Sequence, residues 1–220
     1  MIEIVYRCVP ECITENDIKK EAASLPKSFR EKNTAYINEI LSKKHRPSAY
    51  KSTVALNLLC SLLPKDLHSP ILKRTENGRP YFENAPNIDF NISHTDKMVV
   101  CALCTDKSAF TSPQIGIDCE MIYKKEPLPM AERFFTENEL EQIKKSTDQK
   151  RTFTEIWTKK EAYIKYLGTG LSMPLSSFDT STDLGVRFET LEIEEHIMTI
   201  CANEYLYPIA IISGENKNLS

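Results

Sequence analysis

The chain has 220 residues, 41% of them hydrophobic and 27% charged, with 12 prolines and only 6 glycines. That apolar content excludes a disordered chain, and so little glycine excludes a collagen-like or low-complexity one. A net charge of −3 excludes a globally basic nucleic-acid binder. The length suits one large domain or two of about 100 residues each. Charge is unevenly spread. Residues 41–51 hold Lys43, Lys44, Arg46 and Lys51 with no acid, and residues 142–165 hold seven Lys/Arg against three Asp/Glu. Local basic patches on an acidic chain point to a compact anionic ligand or an acidic partner. Solvated helix faces are the alternative.

Met1 is followed by neither a basic segment nor a long apolar run, so no secretory signal is expected. The longest apolar-rich stretch, 54–63, is too short to span a bilayer. The cysteines are Cys8, Cys12, Cys60, Cys101, Cys104, Cys119 and Cys201. An odd count with apolar neighbours suggests reduced, mostly buried thiols and a cytoplasmic protein. Cys101 and Cys104 form a C-x-x-C, but on a strand they face opposite sides, and no second pair completes a zinc site.

In chain order, residues 1–8 alternate like a strand. A helix is expected over 14–25, with Thr14 as cap and Asp17 three residues on. Residues 26–44 read as a second helix opened by Pro26. Pro47 suits the first turn of a helix over 48–63, which Pro64 ends. An irregular stretch follows, with a turn at Asn77-Gly78. Strands are expected at 88–93, 98–104 and 115–121. Thr136 and Glu139 form a capping box, and apolar residues recur at helical spacing from about 148 to 167, where Gly168 stops the helix. Strands are expected near 186–193, 196–202 and 206–213, and 214–220 reads as frayed. Both halves run from a long helix through turns to strands. This suggests two similar α+β lobes, 1–107 and 108–220, joined near 105–114.

Asp118 and Glu120 share one face of a strand and Cys119 the other. Two like charges side by side are unfavourable there unless a cation neutralises them, and hard carboxylates favour Mg²⁺ over zinc. An exposed strand end is the alternative. Glu161 and Lys165, at i and i+4, share a helix face with Trp157. They read either as a third metal-reaching carboxylate with a phosphate-holding lysine, or as a surface pair. Asn91 and Ser93 share a strand face, and His94 begins the turn, placed to act as base to the neighbouring serine (though the sequence places no acid partner), to meet a phosphate, or to fill a structural role. Gly168-Thr169-Gly170 ends a helix, so it is no phosphate loop of the Walker kind.

Taken together and in order, these motifs carry more than each alone. The set runs Asn77-Gly78-Arg79-Pro80, Asn91-Ile92-Ser93-His94, Gly116-Ile117-Asp118-Cys119-Glu120, Phe134-Phe135…Glu139, and Trp157-Thr158-Lys159-Lys160-Glu161-Ala162…Lys165…Gly168-Thr169-Gly170-Leu171. It resembles the 4′-phosphopantetheinyl transferases of the two-lobed, surfactin-synthetase-activating type. The resemblance implies an α+β fold of two similar lobes in pseudo-twofold arrangement, the active site between them, in a monomer. It implies transfer of the phosphopantetheine arm of coenzyme A to a serine of an apo carrier protein, giving adenosine 3′,5′-bisphosphate. Asp118, Glu120 and Glu161 would gather Mg²⁺; Glu161 would also be the general base, and Lys165 would neutralise the departing pyrophosphate charge, so Asp118, Glu161 and Lys165 are the implied catalytic set. Coenzyme A contacts would come from Lys51, Arg79, Ser93, His94, Lys160 and Lys165. Arg79 stands where the family commonly has lysine, and Lys51 where it has arginine. Glu139 matches a middle acid of the family, but its capping role already accounts for it. A metal-dependent nuclease or phosphatase, or a non-catalytic binding module, would use some of these residues. Binding alone would not require Asp118, Glu120, Glu161 and Lys165 together.

Overall fold

A computed structural model describes residues 1–67, 69–105, 113–203 and 209–213. The fold is α+β, and the chain divides into two compact units. The first comprises β1 (Ile2–Cys8), α1 (Glu15–Ser24), α2 (Lys27–Lys32), α3 (Thr34–Leu41), α4 (Arg46–Leu62), β2 (Leu72–Arg74), β3 (Pro80–Phe82), β4 (Ile88–His94) and β5 (Met98–Thr105). The second comprises β6 (Ile115–Met121), α5 (Leu128–Phe134), α6 (Glu137–Lys145), α7 (Gln149–Leu167), β7 (Val186–Ile193) and β8 (His196–Asn203). A last strand, β9 (Ile209–Ser213), belongs to the first unit. Residues 106–112 of the expected junction, 204–208, and the expected frayed end 214–220 lie outside the described residues.

In the first unit the sheet order is β4-β5-β1-β9. β1 is antiparallel to β5 and parallel to β9. The sequence pattern groups 209–213 with the second half; the pairing sets it beside β1, a long-range contact that leaves no local signature. Helix α4 lies on this sheet, its Val54, Leu58 and Leu59 sharing a core with Phe90, Val99, Cys101 and Leu103. Two features differ from expectation. The helix expected over 26–44 breaks at Asn33, whose buried amide donates to the carbonyls of Phe29 and Pro70, both at 2.9 Å, while its Oδ1 accepts from Leu72 N at 2.7 Å. Satisfying a buried amide outweighs helix continuity there. The irregular stretch holds a small hairpin, β2 against β3, turned at Gly78 with φ +83°.

In the second unit the sheet order is β6-β8-β7, all antiparallel, and α7 packs on β6 and β8. Both expected caps form. Thr14 and Asp17 cap α1, and Thr136 and Glu139 cap α6, each through reciprocal hydrogen bonds. Gly168 ends α7 in the left-handed region, φ +68°. The short α5 was unmarked by any periodic run, since seven residues with a proline inside show barely two turns. None of the seven cysteines is joined in a disulfide, and burial pushes the Cys60 and Cys119 thiols up to about 12. Such thiols stay protonated and inert at neutral pH.

Candidate active site

In the second unit, strand β6 carries Asp118 and Glu120, and helix α7 carries Glu161 and Lys165. Gly116 brings the two elements together. A Cβ at this position would stand 2.0 Å from the carbonyl oxygen of Ala162 and 2.4 Å from the amide nitrogen of Tyr166. Only a residue with no side chain lets helix backbone approach strand backbone so closely.

Across that close contact, Lys165 Nζ donates to Asp118 Oδ1 at 2.7 Å and to the Ile117 carbonyl at 3.1 Å. Asp118 is 4% exposed. Lys165 thus reaches over to the strand, although helical spacing alone would pair it with Glu161. Burial raises the Glu161 carboxyl above the usual carboxylate range, the Asp118 charge adds to this, and Lys165 opposes it. Asp118, Glu161 and Lys165 therefore share one electrostatic neighbourhood. Glu120 stands further along the strand at the edge of a pocket of about 180 Å³, whose other walls are Met121, Tyr123, Met130, Phe153, Thr154 and Trp157. Phe135 stacks on Phe153 at 5.1 Å and Phe153 on Trp157 at 5.9 Å, joining the end of α5 to the first half of α7.

Among the described residues, no three His, Cys, Asp or Glu side chains converge as a ready-made metal cluster. The donors still suit a hard divalent cation. Mg²⁺ needs only one or two protein carboxylates, with water and substrate phosphate completing its shell, and a pair such as Asp118 and Glu161 meets that need.

Lys160, expected among the coenzyme A contacts, is placed otherwise. Its side chain is 0% exposed, paired with the equally buried Glu139 at 2.7 Å. It donates further to the carbonyls of Leu175 at 2.8 Å and Phe178 at 2.6 Å. These three acceptors match the three donors of an ammonium, so none is left for a ligand. Burial pulls this lysine below its ordinary pKa, while Glu139 pulls the other way. Glu139 combines its capping role with this pair, and its Oε1 accepts from Thr180 N at 2.9 Å and Thr180 Oγ1 at 3.0 Å. Asp179, beside it, accepts from Thr136 Oγ1 at 2.8 Å and Asn138 Nδ2 at 3.1 Å, and nothing in the sequence of this serine- and threonine-rich loop marks either Thr180 or Asp179.

The first unit holds the other expected contacts. Lys51 is 6% exposed, and its Nζ donates to the Thr95 carbonyl at 3.1 Å and to Asp96 Oδ1 at 3.2 Å. This ties α4 to the turn just after His94. Strand β4 runs through His94, so Ser93 and His94 face opposite ways, the serine buried and the histidine exposed. Arg79 Nη2 meets Asp89 Oδ2 at 2.5 Å, both side chains largely buried. The basic stretch 142–165 is largely neutralised. Lys144 and Lys145 pair with Glu141, Arg151 with Glu155 and Glu192, Lys160 with Glu139, and Lys165 with Asp118.

Residues 114–210 match the sequence model of the 4′-phosphopantetheinyl transferase superfamily. Over 184 residues the chain is 33% identical to the 4′-phosphopantetheinyl transferase gsp of Aneurinibacillus migulanus, covering 81% of this chain and 70% of that one. It is 38% identical over 123 residues to the transferase ffp of Bacillus subtilis, covering 55% and 51%. It is 34% identical over 140 residues to the transferase Sfp of Bacillus subtilis strain 168, covering 61% and 59%. The matched regions thus span a little over half the length of the latter two relatives.

Proposed function

The chain belongs to the 4′-phosphopantetheinyl transferase superfamily, and from that premise we propose that Asp118, Glu161 and Lys165 are the reacting centre of its transfer chemistry. The enzyme moves the 4′-phosphopantetheine group of coenzyme A to a serine of an apo carrier protein. The serine oxygen attacks the phosphorus bearing the pantetheine arm, the P–O bond of the pyrophosphate breaks, and adenosine 3′,5′-bisphosphate leaves. Such a reaction needs alignment and charge neutralisation more than covalent help.

The observation that carries this reading is the contact of Lys165 with Asp118 at 2.7 Å beside a half-buried Glu161. Glu161, half-buried beside Asp118, is a carboxylate placed to accept the serine proton, directly or through water. Lys165, anchored on Asp118, presents a cation where charge builds on the departing phosphate of adenosine 3′,5′-bisphosphate. Asp118 and Glu161, with Glu120 as third donor, would hold Mg²⁺, which when bound supplies charge neutralisation on the pyrophosphate. In the first unit we assign coenzyme A contacts to Lys51, Ser93, His94 and Arg79. Asp96 is 99% exposed, so an incoming phosphate can take its place on Lys51. Asp89 is 12% exposed and leaves Arg79 fewer donors to offer. Lys160, its three donors already taken inside the unit, makes no ligand contact. A cytoplasmic, monomeric enzyme completes the reading; among the described residues, no helix is long and apolar enough to cross a membrane.

The test is to mix the protein with coenzyme A, Mg²⁺ and several apo carriers, and to weigh the carriers. A mass gain of one phosphopantetheine group is expected. No gain on any carrier refutes the transfer. Coenzyme A binding without gain would leave a binding module, and hydrolysis without a carrier would leave a phosphatase.

A further inference from the structure

Lys160 is adjacent to Glu161 on α7, yet the two side chains have opposite tasks. Successive helical residues point about 100° apart, so one can be locked inside the unit while its neighbour faces Asp118. Lys160 is held at three points: Glu139 Oε2, the Leu175 carbonyl and the Phe178 carbonyl. Its cation also lies 4.4 Å from the Phe178 ring centroid. Glu139 is held in turn by Thr136 N at 3.0 Å through the capping box and by Thr180 through its other oxygen. The middle of α7 is thereby pinned to the start of α6 and to the 175–180 segment.

Stability is a weak reason for such a pair. Each buried charge costs several kcal/mol in desolvation, and apolar replacements of similar volume are often neutral or better. What apolar packing does not supply is direction. Three fixed acceptors define the rotation and height of the helix at residue 160. At a side-chain radius of about 6 Å, a helix rotation of about 15° moves a carboxylate by about 1.6 Å. A misplacement of about 1 Å is enough to cost roughly a hundredfold in rate.

We propose that the buried Glu139–Lys160 pair is a positioning device for the transfer reaction, fixing the rotation of α7 so that Glu161 and Lys165 meet Asp118 in productive geometry. This rests on the assignment of Glu161 and Lys165 given above. Neither Glu139 nor Lys160 touches substrate; each acts through the helix.

The test compares the parent with Lys160→Met and with the double variant Glu139→Gln/Lys160→Met, which removes both charges so that neither is stranded. Transfer by the parent is measured first, since its failure would refute the function itself and not the positioning role. For variants that unfold cooperatively, kcat is expected to fall about 10- to 100-fold with KM for coenzyme A within about threefold. Mn²⁺ binding, followed by electron paramagnetic resonance with coenzyme A present, is expected to weaken about tenfold, a readout independent of turnover. A folded double variant with parental kcat and Mn²⁺ affinity would overturn the proposal. So would failure of the double variant to fold, which would make the pair a folding determinant only.

Discussion

Gly116→Ala tests the geometry of the site at one atom. The added methyl would start 2.0 Å from the Ala162 oxygen and 2.4 Å from the Tyr166 nitrogen, against an ordinary contact of 3.4 Å. Both opposing atoms are helix backbone, so no side chain can swing aside. The helix must retreat from β6 by about 1.4 Å. Lys165 now reaches Asp118 at 2.7 Å, and a retreat of that size takes the two beyond hydrogen-bond distance. Overpacking of this kind costs about 1–3 kcal/mol, or about 2–12 °C in Tm for a chain of this size. The effect on transfer should be far larger. A displacement above 1 Å between reacting groups predicts a fall in kcat of about a hundredfold or more. Carrier modification followed by mass, with a thermal melt of the same sample, separates the two. A variant that melts near the parent and keeps kcat within about threefold would show that close helix–strand approach does not set the site, and the account of Asp118, Glu161 and Lys165 would fail with it.

Other expectations follow from single contacts. Asp118→Ala should abolish transfer while the fold survives, because the released Lys165 is 28% exposed and can be solvated; near-parental turnover would remove Asp118 from the centre. Asp179 is held down to about 2: burial favours its neutral form, but hydrogen bonds from Ser181, Thr136 and Asn138 outweigh that. Since the unfolded value is about 3.9, the charged form's contribution is present above that pH and lost as pH falls through about 2. Urea midpoints of the parent and Asp179→Asn should therefore differ at pH 5 and converge near pH 2. Lys150 and Lys159 are the cations of 142–165 that lie outside the pairs with carboxylates described above. Replacing both by alanine should lower kcat/KM for an acidic carrier severalfold at low salt, and the difference should vanish near 0.5 M NaCl; salt-independent loss would rule out steering.

Much of this was legible because the signals were local. Strand β6 alternates cleanly from Ile115 to Met121, and its expected limits are the observed ones. The caps at Thr14 and Thr136 were readable as sequence because donor and acceptor are three residues apart. What was missed depends on distant partners. Asn33 breaks a helix because Pro70 and Leu72 offer it hydrogen bonds, and β9 joins β1 from the far end of the chain. Local composition encodes neither.

The same distinction explains the site. Asp118 with Glu120, and Glu161 with Lys165, stood out through spacing on one element each. Only packing decides what they meet, and packing gave Lys165 to Asp118. Lys160 and Lys165 look alike in sequence, two lysines on one basic helix. One is sealed against Glu139 and the other is part-exposed beside Asp118. The net charge of −3 hides this difference completely, since a buried ion pair and a part-exposed one contribute the same zero. Charge counted along the chain therefore locates where chemistry is possible, and burial decides which cations are left to perform it.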